Sequence, residues 1–116
     1  MKSPSDCIFC RIVAGELGTK VHEDDLVVAF DDLNAQAPHH LLIVPREHVA
    51  SADDLTPDRE SLAGRLLTTA ARLARDRGLP DAGYRLVINC GAGAGQSVFH
   101  LHVHLLGGRT FSWPPG

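Results

Sequence analysis

Residues 100–106 alternate histidine with aliphatic residues without interruption, reading His-Leu-His-Val-His-Leu-Leu. Side chains on a β-strand point to opposite faces in turn, so the pattern predicts a strand with His100, His102 and His104 on one face and aliphatic residues in the core. Imidazoles titrate near neutral pH and also bind metal ions. Three of them on one rigid strand can supply a nucleophile, an acid and a base, or metal ligands. The alternative is an exposed polar face that happens to consist of histidine.

The length and charge of the chain restrict its class. A chain of 116 residues suits one hydrophobic core, so we predict one domain over residues 1–116, with 1–6 as a flexible lead-in. The net charge of -3 argues against a nucleic-acid or anionic-membrane partner, because both favour a basic surface. No apolar run approaches the roughly 20 residues that cross a bilayer, and no signal-like segment opens the chain. We therefore expect a cytoplasmic protein.

Hydrophobic periodicity predicts two helices and five strands. A short helix should cover residues 7–14 with Asp6 as its cap, and a long helix of about 20 residues should begin at Thr56 and stop at Gly78. Residues 41–44 are apolar throughout, as in a central strand covered on both faces. The other strands are predicted at 21–23, 26–30 and 84–89, and His22 in the first of these should face solvent.

The three cysteines fit a reducing compartment better than a disulfide scaffold. Cys7 and Cys10 are separated by two residues, which suits either free thiols or metal ligands. Cys90 has no nearby cysteine in the sequence, and we predict it to be a buried thiol.

Phosphate chemistry is suggested by the segment before the histidines. Residues 91–97 read Gly-Ala-Gly-Ala-Gly-Gln-Ser, and such a loop can turn backbone N–H groups toward an anion, although a tight hairpin would also select glycine. Ser97 delivers a hydroxyl three residues before His100. In the short helix, Ile8, Phe9 and Ile12 could hold a flat aromatic ligand or form ordinary core. Asp31 and Asp32 could occupy a solvated turn, or one of them could accept the two hydroxyls of a ribose.

These motifs together resemble the histidine-triad superfamily of nucleotide-binding proteins. The alternating histidines follow Gly-Gln-Ser-Val-Phe, and the likeness continues through residues 36–38, 40–45 and 83–85 and the ending at 107–109 and 113–116, which resembles the Hint branch. The resemblance implies an α+β fold with a five-stranded antiparallel sheet per subunit. It also implies a two-fold homodimer, with residues 107–116 as a tail at the interface and Trp113 near the partner's site.

The resemblance also implies the chemistry. His102 would attack the α-phosphorus of a purine nucleotide, and water would release a nucleoside monophosphate from the nucleotidyl-histidine. His104 and Ser97 would contact the phosphate or assist the leaving group, and His40 would orient His102. The remaining nucleotide contacts would be Asn89, Gly95 and Gln96 for the phosphate, Asp32 for the ribose, and Ile8, Phe9, Ile12, Phe30 and Leu33 for the base.

A zinc site is implied by the bacterial members of the superfamily. Cys7-x-x-Cys10 resembles their zinc motif, which His48 and His100 would complete here, and two thiolates with two imidazoles suit a closed structural zinc site. The alternative is two free thiols in a helix. We expect no organic cofactor.

Four functions remain open from the sequence. The first is hydrolysis of purine nucleoside phosphoramidates or related adenylated compounds, and the second is cleavage of dinucleoside polyphosphates by the same mechanism. The third is a nucleotide-binding regulatory module with incidental turnover. The fourth places a catalytic metal on the three histidines themselves.

Overall fold

The computed structural model describes residues 6–116, so residues 1–5 of the predicted lead-in lie outside the described part of the chain. It contains two α-helices, α1 (Ile8–Val13) and α2 (Glu60–Asp76). The five strands are β1 (Lys20–Glu23), β2 (Val27–Asp31), β3 (His39–Pro45), β4 (Tyr84–Val87) and β5 (Val103–Gly107). They form one antiparallel sheet in the order β1-β2-β3-β5-β4. The predicted α+β fold is confirmed.

The long helix α2 covers one face of the sheet. Its buried residues Leu62, Leu66, Ala70 and Leu73 recur at helical spacing, and they pack against the inward side chains of the central strands, including Val103 and Leu105. The helix begins later than predicted, because Pro57–Arg59 forms a separate 3-10 turn. The Thr56 hydroxyl donates to the Asp58 carboxylate and so does not cap α2.

The short helix α1 lies against the opposite face. Phe9 of α1 packs with Val28 and Phe30 of β2 and with Leu42 of β3. The predicted cap is wrong by one residue, since the Sγ of Cys7 accepts the backbone N–H of Cys10 at 3.4 Å. Cys7 therefore starts the helix, and this position keeps its sulfur close to that of Cys10.

The histidine strand β5 is shorter than predicted and begins at Val103, not at His100. Pairing with β3 ends at Ile43 and Val103. Extending it would bring Pro45 opposite Leu101, but proline has no backbone N–H, and the Pro45 carbonyl accepts from the His100 ring at 2.8 Å. Leu101 instead donates its N–H to the carbonyl of Val49. The alternation of faces survives, because Leu101 still belongs to the core beneath α2.

The remaining predicted elements are present with shifted ends. Strand β3 is buried along nearly its whole length, as predicted for a central strand, and β4 ends two residues before Asn89. The β1–β2 hairpin is stabilised by Asp24, whose Oδ1 accepts the backbone N–H groups of Leu26 and Val27 at 2.8 and 2.9 Å. His22 does not face solvent as predicted, because its side chain is only 15% exposed. Over residues 6–116, no helix has both the length and the apolar character that a membrane span requires.

Candidate active site

A cavity of about 530 Å³ lies between α1 and the end of β2. This volume lies within the range of small-molecule sites. The sequence did not identify several other residues that line this cavity. Leu42 could have been inferred, because it lies two residues after His40 on β3. For Gly18 and Thr19 the sequence carried no signal. The cavity is lined by all six residues predicted to contact the base and ribose, namely Ile8, Phe9, Ile12, Phe30, Asp32 and Leu33.

Phe9 connects this cavity to the histidines. Its ring centroid lies 5.4 Å from that of Phe30, 5.1 Å from that of His102 and 5.9 Å from that of His100, each in an edge-on arrangement. Aromatic pairs at such separations contribute to the rigidity of a core. The same side chain therefore forms the apolar wall of the cavity and packs against the central imidazole.

The ring of His102 is fixed in one tautomer. Its Nδ1 lies 2.8 Å from the carbonyl oxygen of His100, and because a carbonyl only accepts, Nδ1 must carry the proton. The lone pair of the neutral ring is then on Nε2. His102 is 7% exposed, so its orientation is held by packing as well as by this bond.

His40 and His104 form a second defined pair. The Nδ1 of His40 accepts the backbone N–H of Gln36 at 3.0 Å, which leaves the proton of the neutral ring on Nε2. That Nε2 lies 2.9 Å from Nδ1 of His104 and 3.3 Å from Oδ2 of Asp32. The shorter contact makes Nδ1 of His104 an acceptor, so His104 carries its proton on Nε2.

Both of these rings are neutral at physiological pH. Burial lowers the pKa of His40, and the carboxylate of Asp32 opposes this effect only in part. Burial also lowers the pKa of His104 to about 4, with further contributions from the neighbouring His102 and His40. Neutral imidazoles can accept or relay protons.

A cluster of two thiols and two imidazoles lies beside α1. The Nδ1 of His100 is 3.3 Å from the Sγ of Cys7, 3.4 Å from the Sγ of Cys10 and 3.2 Å from Nδ1 of His48, and the last nitrogen is 3.3 Å from Cys10. A tetrahedral zinc ion with bonds of about 2.0–2.3 Å holds its ligands about 3.3–3.8 Å apart. The cluster fits a metal ion within a few tenths of an ångström.

The protonation of His100 strengthens that fit. Its Nε2 lies 2.8 Å from the carbonyl of Pro45, so Nε2 carries the proton and the lone pair on Nδ1 points into the cluster. A backbone acceptor on the far nitrogen is the usual support of a metal-binding histidine. Burial lowers the pKa of His100 to about 4, which keeps the ring in the neutral form that metals require.

A second group of ligand atoms, on Asp32, His40 and His104, is also compact enough for a metal, but its protonation opposes one. A metal on Nε2 of His40 would require the proton on Nδ1, where the N–H of Gln36 already donates. Two donors would then face each other. We assign this group to hydrogen bonding.

The glycine segment differs from the predicted anion cradle. A 3-10 turn at Ala92–Ala94 uses the N–H groups of Ala94, Gly95 and Gln96 inside the loop. The N–H of Gly91 donates to the side chain of Gln96. These four groups are not available to an anion. Gly91 and Gly95 serve the turn itself, since both have φ above +85°, a region that favours glycine.

Gln96 holds this loop in place. It is buried, its Oε1 accepts from Gly91 at 2.9 Å, and its Nε2 donates to the carbonyls of Ala50 and Val98 at 2.8 and 3.1 Å. Both amide protons are therefore used within the protein. The contact of Gln96 with a phosphate stays a prediction. In the structure, its side chain links the glycine loop to Ala50 and Val98.

Donors for an anion remain just after the loop. In the described part of the chain, the backbone N–H groups of Ser97, Val98 and Phe99 have no protein acceptor. Ser97 is exposed, and its side chain lines a cavity of about 360 Å³ together with Cys7 and His48. The side-chain nitrogen of Asn89 lies beside Gly95, as expected if both residues contact one ligand.

Two further predictions can be compared with the structure. Cys90 is exposed, so the prediction of a buried thiol is wrong; β4 ends before it and leaves it on a loop. Trp113 is 82% exposed, and its predicted position near a partner's site stays a prediction. The tail before it is attached to β4, because Arg85 stacks on Phe111 and donates to the carbonyl of Ser112. Arg109 of the tail stacks on the same ring.

Comparison with known proteins decides the family. The sequence model of the HIT domain, the histidine-triad domain, matches residues 16–111. This chain belongs to the HIT family. The purine nucleoside phosphoramidase of Escherichia coli K12 is 42% identical to this HIT protein over 105 residues, which cover 90% of this chain and 88% of that enzyme.

Solved HIT structures agree with this assignment. The HIT family hydrolase of Legionella pneumophila superposes with a TM-score of 0.93 at 48% identity, covering 96% of this chain and 100% of that one. A zinc-bound histidine triad family protein from Mycobacterium smegmatis superposes with a TM-score of 0.79 at 28% identity, covering 90% of this chain and 76% of that one.

Proposed function

We propose that this HIT protein hydrolyses purine nucleoside phosphoramidates or related adenylated compounds through a nucleotidyl intermediate on His102. The observation that carries the proposal is the bond from Nδ1 of His102 to the carbonyl of His100 at 2.8 Å. It leaves the lone pair on Nε2, in a ring packed against the wall of a cavity of nucleoside size. A neutral imidazole nitrogen held in this way is an effective nucleophile.

In the first step, Nε2 of His102 forms a bond to the α-phosphorus. The bond from phosphorus to the leaving nitrogen breaks, and that nitrogen departs with the electron pair and a proton from solvent. The Nε2–H of His104, which the bond from His40 leaves as a donor, suits a hydrogen bond to a phosphoryl oxygen. Such fixed donors account for most of the catalysis in phosphoryl transfer.

In the second step, the oxygen of water bonds to phosphorus and the bond to Nε2 breaks. The electron pair returns to His102, the water gives up a proton to solvent, and the nucleoside monophosphate is released. Ser97 and its unpaired backbone N–H would support the phosphate, together with the side chain of Asn89. The N–H of Gly95 is used in the turn, so Gly95 would contribute by letting the phosphate approach the backbone closely. Asp32 would bind the ribose hydroxyls while it also contacts His40.

We also propose that Cys7, Cys10, His48 and His100 hold a structural zinc ion. The mutual distances of their donor atoms and the lone pair of His100 directed at the centre support this. Bound zinc would fix α1 against the sheet and would keep His100 deprotonated. His100 would then take no direct part in catalysis, and its carbonyl would act by orienting His102.

A homodimer with a purine nucleotide as substrate completes the proposal. Trp113 is exposed near the end of a tail that Arg85 of β4 anchors, and this supports a contact with a second copy of the chain. The proposed location is cytoplasmic.

The test compares His102→Ala with His39→Ala. His39 is the neighbour of His40 on β3, so its side chain points to the other face, and its Nδ1 lies 3.4 Å from Arg77. We expect His102→Ala to abolish turnover of adenosine phosphoramidates while AMP binds within a few-fold of wild type. His39→Ala should keep at least half the activity. Equal turnover in His102→Ala and wild type would refute the proposal, and parallel rates on a dinucleoside polyphosphate would define the substrate class.

A further inference from the structure

A separate cavity of about 370 Å³ lies where the edge strand β1 meets the middle of α2. It is on the α2 side of the sheet, whereas the cavity of about 530 Å³ proposed to bind the nucleotide is on the α1 side. Its walls combine three arginines and two threonines of α2 with His22 of β1 and one carboxylate, that of Asp24. This concentration of positive charge is unexpected on a chain with a net charge of -3.

The helical spacing explains how the arginines meet. Arg65, Arg72 and Arg75 lie seven and three residues apart, so they share one side of α2. Arg65 is neutralised by the hairpin, because its guanidinium lies 3.3 Å from Asp24 and 3.2 Å from Asp25. Its charge is therefore already balanced within the protein.

Arg72 and Arg75 are not balanced in this way. Within the described residues, no carboxylate lies within 4.0 Å of either guanidinium. Two cations one helical turn apart repel each other. An anion between them would remove that repulsion.

His22 orients Arg72 without neutralising it. The Nη2 of Arg72 lies 2.7 Å from Nδ1 of His22, and since a guanidinium only donates, Nδ1 is the acceptor. The proton of His22 is then on Nε2, which donates to Oδ2 of Asp24 at 2.8 Å. The ring is neutral, and the carboxylate of Asp24 is directed toward His22 and Arg65.

We propose that this cavity binds the phosphate group of a small phosphorylated molecule through Arg72 and Arg75. A planar guanidinium offers paired donors that match phosphate oxygens, and one of these two is held in place by His22. The cavity is shallow and open to solvent, and both Arg72 and Arg75 are exposed, so a small anion can reach the two guanidiniums directly. The phosphate could be free inorganic phosphate or part of a mononucleotide, and the two sources share the same recognition.

The test is a titration of the 15N-labelled full chain with inorganic phosphate and, separately, with AMP, at constant ionic strength set by chloride. We expect saturable shifts of the backbone amides of Thr68 and Thr69 and of the side-chain Nε–H signals of Arg72 and Arg75. The probe with the lower dissociation constant shows whether the cavity prefers free inorganic phosphate or a mononucleotide. Shifts at the nucleotide site occur on other residues and are followed in the same spectra.

Variants provide the control. Arg72→Gln and Arg75→Gln should each weaken binding about tenfold, as expected for the loss of a charged hydrogen bond. Arg11→Gln removes the same charge from α1, far from this cavity, and should change binding less than twofold. The proposal is overturned if neither probe produces saturable shifts on α2, or if the shifts persist unchanged in both glutamine variants.

Discussion

Zinc binding at Cys7, Cys10, His48 and His100 should make thermal stability depend on the concentration of free zinc. The four donor atoms are brought together only by the fold, since the cysteines start α1, His48 follows β3 and His100 precedes β5. Zinc at this site would therefore bind the folded chain in preference to the unfolded one. Such a ligand stabilises the fold by about 1.4 kcal/mol for each tenfold rise in its free concentration above the dissociation constant.

This free energy can be converted into a melting temperature. The unfolding entropy is about 2.1 cal/mol/K per residue. For a chain of 116 residues, the melting temperature therefore changes by about 4 °C for each kcal/mol of unfolding free energy. The expected slope is then about 6 °C per tenfold change in free zinc. This is an upper value, because thiolates of the unfolded chain also bind zinc.

The assay is differential scanning fluorimetry in chelator buffers that set free zinc over two tenfold steps. The melting temperature of the wild type should rise by about 12 °C across this range, and that of Cys10→Ser should depend little on free zinc. Cys90→Ser is the matched control, because Cys90 is exposed and outside the cluster, and it should keep the full slope. A wild-type melting temperature that does not respond to zinc, or a Cys10→Ser slope equal to that of wild type, would refute the reasoning.

Three further predictions concern stability. The pKa of His104 is lowered to about 4, so between pH 6.5 and 4 this residue binds a proton in the unfolded state but not in the folded one. Acidification should therefore cost up to about 1.4 kcal/mol per pH unit through His104 alone, in addition to the contribution of His100. His104→Gln should show a shallower dependence in urea denaturation, and an unchanged slope would contradict this. Gln96→Leu leaves three part-buried partners unpaired and should destabilise the fold by about 2 kcal/mol in thermal melts. Gln96→Glu should not restore the stability, because a carboxylate cannot donate to the carbonyls of Ala50 and Val98. A Cβ at Gly107 would lie 2.7 Å from Cδ1 of Leu79, so Gly107→Ala should cost about 1–3 kcal/mol, and Leu79→Ala should reduce that cost in a double-mutant cycle.

The sequence predicts the sheet well where its signals are local. Alternation in residues 100–106 correctly separates Leu101 and Val103 from the imidazoles, because it depends only on the geometry of the chain. It cannot show where β5 starts. That point depends on Pro45, more than 50 residues earlier, whose carbonyl is taken by a side chain and whose nitrogen has no proton.

The sequence predicted which residues form the candidate site better than it predicted their protonation states and contacts. The resemblance indicated six residues that line the cavity beside α1 and the four possible zinc ligands, and the structure brings each set together. Protonation states were not predictable, because they depend on contacts such as that of Gln36 with His40. The role of Gln96 was hidden for the same reason, since its partner Ala50 is 46 residues away. Periodicity also could not reveal that His22 packs against Arg72 on a helix 50 residues further along the chain.

Rapid chemical quench during turnover of an adenosine phosphoramidate, followed by peptide mapping under alkaline conditions, tests most directly whether His102 is the nucleophile. We predict an adenylyl group on the peptide that contains residues 100–106, attached to Nε2 of His102, and formed and lost at rates that match turnover. An adenylyl group on His40 or His104 instead, or turnover without any enzyme-bound adenylyl group, would contradict the account.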